Sequence, residues 1–135
     1  MENFESDLKI KKIYFSKLSF KRGLDVNENY RLTDSLNVEY NKLSDNEIEV
    51  KLFYNAKAED DTVNIEAVEN GVFELINTEK YSNDDINYIL KVNTIAIMFP
   101  FLRSQILLLT SQPGFNPVPV PAVNAEALFK MSGSK

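Results

Sequence analysis

A chain with neither histidine nor cysteine lacks the two side chains that most readily do chemistry near neutral pH. Thiolate nucleophiles, imidazole bases, disulfides and zinc sites of nitrogen and sulfur are excluded together. What remains is the chemistry of carboxylates, lysines and all-oxygen metal sites. The acidic groups dense enough to consider are Glu59-Asp60-Asp61 and Asn83-Asp84-Asp85. Neither has the ordered ligand spacing of a calcium loop, and they read as a polar turn and a helix start. Glu47 and Glu49 would share one face of a strand, where the wet side of a sheet accounts for them better than acid–base catalysis. Only four glycines are present, and none forms a phosphate-cradling loop ahead of a helix. The expectation is a protein that is not an enzyme and uses no metal or cofactor.

Charge narrows the partners. Fifteen basic against twenty acidic residues give a net charge of −5, which opposes nucleic acid because phosphate binding needs clustered cations. The basic cluster near the N-terminus, Lys9, Lys11, Lys12, Lys17, Lys21 and Arg22, reads as a solvated strand face rather than a polyanion site. Met1 to Glu5 lacks the basic start and apolar run of a signal peptide, and the apolar stretch from Ile95 to Leu102 is too short for a bilayer. These features predict a cytoplasmic protein without membrane contact.

The elements that must position any site divide the chain in two. Its length suits one domain over residues 1–135, with a core from about 8 to 130. Lys9 to Phe20 is rich in β-branched and aromatic residues, and its alternation slips near Ile13, which predicts a bulge or a strand that uses both faces. Leu36, Val38 and Tyr40 alternate with polar residues, as do Ile48, Val50, Leu52, Tyr54 and Ala56, and the turn Ser44-Asp45-Asn46 joins them as a hairpin. A fourth strand runs through Val63, Ile65 and Ala67, with a break expected at Asn70-Gly71 before Val72, Phe73 and Leu75. The period then changes. Ser82 with Asp85 three residues on starts a helix through Ile86, Ile89, Leu90 and Asn93, and Pro100 is placed in the first turn of a second helix through Leu109. Pro113-Gly114 ends it, the prolines up to Pro121 enforce extended chain, and Asn124 caps a last helix with Ala125, Leu128 and Phe129. Strands followed by helices make the fold class α+β, a four-stranded antiparallel sheet followed by C-terminal helices.

The surplus of apolar surface points to function. Phe101, Leu102, Ile106, Leu107, Leu108 and Leu109 make the helix apolar on nearly every side, and one sheet can cover only one side. An oligomer interface (Phe101, Leu102, Ile106, Leu109) or a ligand groove should cover the rest. Phe115, Val118 and Val120, in a proline-punctuated loop, either form a wall of that groove or tuck into the core.

The segments Ile97-Met98-Phe99-Pro100-Phe101-Leu102-Arg103, Pro113-Gly114-Phe115-Asn116-Pro117 and Val123-Asn124-Ala125-Glu126-Ala127-Leu128-Phe129 resemble the SecB chaperone family, with its "ilFPyaR", "G-F-P" and "pvNFdaLF" runs. Ile13-Tyr14 with Leu18-Ser19-Phe20 is similar to the family's first strand, and Asn70-Gly71-Val72-Phe73 to its "GGIF".

The resemblance implies a SecB-like domain that assembles as a homotetramer, a dimer of dimers with the long helix between subunits. It also implies nucleotide-independent binding of unfolded polypeptides in a groove, here Tyr14, Phe15, Leu107, Phe115, Val118 and Val120. Export members dock the translocation motor SecA through acidic residues. The matching positions here are Lys17 and Lys21, with Glu66 alone acidic, and the acidic tail is replaced by Met131 to Lys135. That departure favours the branch of the family serving toxin–antitoxin systems, whose client is an antitoxin, over delivery of preproteins. A small-ligand or purely structural α+β oligomer is the alternative of a different class.

Overall fold

A computed structural model describes residues 6–24 and 31–120. Four strands, β1 (Leu8–Arg22), β2 (Leu32–Ser44), β3 (Glu47–Ala58) and β4 (Val63–Leu75), form one antiparallel sheet in the order β1-β4-β3-β2. Strands β2 to β4 form a meander and β1 lies beside β4, which is Greek-key connectivity. The β2–β3 hairpin turns at Asp45 and Asn46, as the sequence predicts. The β3–β4 turn is held by Asp60, whose Oδ1 accepts from the Thr62 amide and hydroxyl at 3.1 and 2.6 Å. The acidic run Glu59-Asp60-Asp61 thus builds a turn, and no cluster of three or more metal-ligating side chains occurs among the described residues.

The slipped alternation in β1 resolves into two bulges, at Lys11 and Ser16, where the register against β4 shifts. Each bulge absorbs one residue. As a result Leu8, Ile10, Ile13, Phe15, Leu18 and Phe20 all sit opposite β4 residues that face the helix, while Lys9, Lys12, Tyr14, Lys17, Ser19 and Lys21 sit opposite residues of the other face.

The expected break at Asn70-Gly71 is absent, and β4 pairs through it without a shift. Gly71 answers to packing instead. A Cβ there would lie 2.6 Å from the Phe73 ring and 2.9 Å from the sulfur of Met98, so glycine lets the helix approach the strand.

The helical half also differs from expectation. Asn83 to Thr110 is one continuous helical run of 28 residues: α1 (Asn83–Tyr88), a π-helical turn (Ile89–Asn93) and α2 (Thr94–Thr110). Ser82 caps it, accepting from the Asp85 amide at 3.1 Å, as its spacing predicts. Pro100 lies inside α2 rather than in a first turn. Its ring and the carbonyl-bearing Ala96 are both on the exposed side, where water can serve the carbonyl that proline cannot. The Thr94 hydroxyl donates to the Leu90 carbonyl at 2.7 Å within the π turn.

By length and composition this run could cross a membrane, but one side of it is already committed to the sheet. Leu90, Ile95, Met98, Leu102 and Ile106 are fully buried against Ile48, Leu52, Ile65 and Phe73. Each such side chain contributes roughly 1.5–3 kcal/mol. Tyr40 adds a hydrogen bond from its hydroxyl to the Lys91 carbonyl at 2.6 Å. The last helix expected from Asn124 lies outside the described residues.

Candidate functional site

After Thr110 the chain turns back along the helix. Gln112 to Phe115 form a turn closed by the Phe115 amide to the Gln112 carbonyl at 3.1 Å, with Gly114 at φ 75°, a conformation that favours glycine. Three contacts then fix the extended segment. The Val118 amide donates to the Thr110 hydroxyl at 2.8 Å. Arg103 Nε donates to the Val120 carbonyl at 2.9 Å, and Arg22 Nη1 to the Gly114 carbonyl at 2.9 Å. The Phe115 ring meets Phe20 at 4.9 Å between centroids, tilted by 56°, with the Arg22 guanidinium 5.7 Å from its centre.

Between this segment and α2 lies a cavity of about 300 Å³ lined by Pro100, Arg103, Ser104, Leu107, Pro119 and Val120. Its lining is mixed, with Ser104 and Arg103 set among apolar side chains. Leu107 at its rim is 46% exposed. About 100° further round the helix, Phe101 and Leu108 form a second apolar strip, 50% and 68% exposed. On the sheet, Ile10 and Leu18 of β1 are left largely uncovered on the helix-facing side. These surfaces offer apolar contact area on the helix and on the helix-facing side of β1.

The residues expected to form a groove are only partly brought together. Leu107 and Val120 line the cavity, and Phe115 is half-buried at the β1 end of the loop. Phe15 is half-buried on the helix face, opposite Glu69. Tyr14 is on the other face with the Lys12 ammonium 5.1 Å from its ring centre, because neighbours in a strand point apart. Tyr14 therefore does not join Phe15. Val118 and Val120 are mainly core, at 8% and 4% exposure, which favours the tucked-in alternative for both.

Of the expected interface set, Leu102 and Ile106 are fully buried in the chain's own core. Neither has surface to give a second copy. Leu109 is half-buried, and Phe101 is exposed. Lys17 is paired with Glu66 at 2.8 Å, so two of the expected docking residues neutralise each other. The other, Lys21, lies on the same outer face.

Sequence reasoning missed Pro100, Arg103, Ser104 and Pro119 as cavity residues. The signal was there for Arg103, the single charged residue between Thr94 and Thr110. It also missed Glu69, whose position has the parity of Val63, Ile65 and Ala67. Glu69 is fully buried, both carboxylate oxygens lack a hydrogen-bond partner among the described residues, and burial pushes its carboxyl up to about 8.

Comparison with known proteins decides the family. The family model described as preprotein translocase subunit SecB matches residues 2–135. The chain belongs to the SecB family. Protein-export protein SecB of Orientia tsutsugamushi strain Boryong is 31% identical over 130 residues, covering 89% of this chain and 79% of that protein. The strain Ikeda SecB is likewise 31% identical over 130 residues, covering 89% and 77%. Among solved structures, a SecB-like chaperone of Mycobacterium tuberculosis, in complex with a ChAD peptide from the HigA1 antitoxin, superimposes with a TM-score of 0.61. It is 11% identical, and the match covers 87% of this chain and 88% of that one, so it speaks for the SecB fold alone.

Proposed function

We propose that this SecB-family chaperone is a nucleotide-independent holdase that binds extended, aggregation-prone segments of other polypeptides, with an antitoxin of a toxin–antitoxin system as its client. The observation that carries the reading is the cleft between α2 and the loop after it, with Leu107 half-exposed at its rim. A cleft of this kind takes apolar side chains from many sequences without reading any one of them closely. Support for the antitoxin client comes from the fold-level likeness to a chaperone held with an antitoxin peptide. The salt bridge of Lys17 with Glu66, where an export chaperone would offer acidic residues to its motor, agrees with it. The assembly that fits the exposed Phe101 and Leu108 is a homotetramer in the cytoplasm, without cofactor, nucleic acid or membrane.

The second reading is delivery of preproteins, favoured by the 31% identical relatives that bear the protein-export name. Suppression of the aggregation of an unfolded test protein without nucleotide tests the holdase. No effect at several-fold molar excess would overturn it. Recovery from the host with mass spectrometry of what stays bound separates the two clients. One small partner in near-stoichiometric amount means an antitoxin, and a spread of precursors with the motor means export.

A further inference from the structure

Arg103 holds the loop after α2 through one nitrogen and leaves the rest of its guanidinium uncommitted. Its Nε donates to the Val120 carbonyl at 2.9 Å. A guanidinium has five N–H donors, so the four on the terminal nitrogens remain. No hydrogen bond or ion pair engages those four among the described residues. Arg103 and its neighbour Ser104 are both exposed, and both line the cavity with Pro100, Leu107, Pro119 and Val120.

No carboxylate of the surrounding segments answers this cation. The sequence has none from Thr94 to Val120, and the helix-facing residues of β1 (Leu8, Ile10, Ile13, Phe15, Leu18 and Phe20) include none. The Nε bond fixes the fork against the loop, so its donors are oriented before any partner arrives. A planar fork beside apolar surface matches a carboxylate that has an apolar group close to it. A phosphate is a poorer match, because one cation would face a charge approaching two.

Spacing makes the match more definite. Arg103 and Leu107 are one helical turn apart, about 6 Å along the axis. In an extended polypeptide, residues two apart point the same way and are about 7 Å from each other, while adjacent ones point apart.

We propose that the cleft prefers client segments with a carboxylate two residues from a large apolar side chain, the carboxylate on the Arg103 fork and the apolar group against Leu107. The carboxylate comes from a glutamate or aspartate side chain or from the end of the client chain. Arg103 is then a specificity residue as well as the tie that holds the loop. This inference rests on the client cleft proposed above and adds a modest preference to broad apolar capture.

The test uses the full chain and fluorescein-labelled peptides, read by anisotropy. Each peptide has one leucine in a glycine–serine background with an amidated end, and glutamate two residues from the leucine. Glutamine in place of that glutamate, or glutamate moved next to the leucine, should weaken binding about fivefold, and the difference should shrink as salt is raised. A peptide whose single carboxylate is its own C-terminus, two residues after the leucine, distinguishes the two sources. Tighter binding than the glutamate peptide assigns the fork to a chain end, and weaker binding assigns it to a side chain.

Arg103→Gln separates recognition from structure. The glutamine amide nitrogen occupies the place of Nε, so the Val120 bond is kept and the fork is removed. The variant should bind the glutamate and glutamine peptides alike, at the affinity of the wild type for the glutamine peptide. A purely structural Arg103 would instead lower both affinities and keep their ratio, which overturns the proposal. Equal binding of the two peptides by the wild type also overturns it, and that comparison needs no variant to fold. Displacement of the peptide by inorganic phosphate at concentrations where acetate has no effect would make the fork a phosphate site and overturn it too. Capture of neither peptide, together with no suppression of aggregation, would defeat the holdase reading itself.

Discussion

The amide of Val118 donates to the hydroxyl of Thr110 at 2.8 Å, and that hydroxyl donates to the Ile106 carbonyl at the same distance. One buried side chain thus ends the helix and sets where the loop beyond it lies. Replacing Thr110 by valine keeps the shape and leaves the Val118 amide buried without an acceptor. The expected cost is about 1–3 kcal/mol of stability in urea denaturation, together with weaker client binding because the cleft loses a fixed wall. Full stability and full affinity in Thr110→Val would refute this role.

Phe115 and Val118 separate cleft from core. Phe115→Asp removes an aromatic contact with Phe20 worth about 0.5–1.5 kcal/mol, and client affinity should fall more than stability does. Val118→Asp places a charge at a position only 8% exposed and should first unfold the chain. Titration of an unfolded client beside a thermal melt reads both. Client binding unaltered in a folded Phe115→Asp protein would remove Phe115 from the site.

On the helix, neighbouring leucines predict opposite outcomes. Leu102→Ala opens the core and should cost about 2–5 kcal/mol with no direct effect on assembly. Leu108→Asp, at a position 68% exposed, should leave the monomer fold in place and lower the assembled mass in light scattering. If Leu108→Asp has the mass of the wild type, the Phe101–Leu108 strip is not the interface.

Glu69 gives the stability curve a slope. Its folded carboxyl titrates near 8 against an ordinary value of 4.5, because burial without a partner disfavours the charge. Between those pH values the unfolded chain releases a proton that the folded one keeps, so stability falls as pH rises from 4.5 to 8 and levels off above. Glu69→Gln should remove this fall, gaining on the wild type steadily across the interval. Midpoints of urea unfolding at several pH values check it, and parallel curves for the two proteins would contradict it.

The strands were legible because β2 and β3 alternate cleanly and β4 does so up to Ala67, while the slipped alternation of β1 marked an irregularity that the structure resolves into two bulges. The helix boundary was not. Pro100 reads locally as a helix start, and only the tertiary fact that its face is solvent-exposed explains why a proline is tolerated in mid-helix. Gly71 reads as a bend for a similar reason, since the demand it meets comes from Met98, nearly thirty residues away. For the site, composition singled out the apolar helix and the loop after it but could not say which side of α2 the sheet would claim. That choice put Leu102 and Ile106 inside and left Leu107 and Leu108 out. Tyr14 and Phe15 entered the groove together through the resemblance, and adjacent residues of a strand point to opposite faces, so β1 brings only Phe15 to the helix side.

The strand order carries a consequence for how the chain is born. β1 is the first strand to leave the ribosome, yet its partner β4 ends at Leu75, the last of the sheet to be made. At roughly 5–20 residues per second, Ile10, Ile13, Phe15, Leu18 and Phe20 wait several seconds with no strand to pair with. During that interval the nascent segment is itself an aggregation-prone apolar stretch, and the lysines set between its apolar residues are what keep such a stretch in solution. A protein of this topology must survive, in every synthesis, the same hazard from which a chaperone protects others.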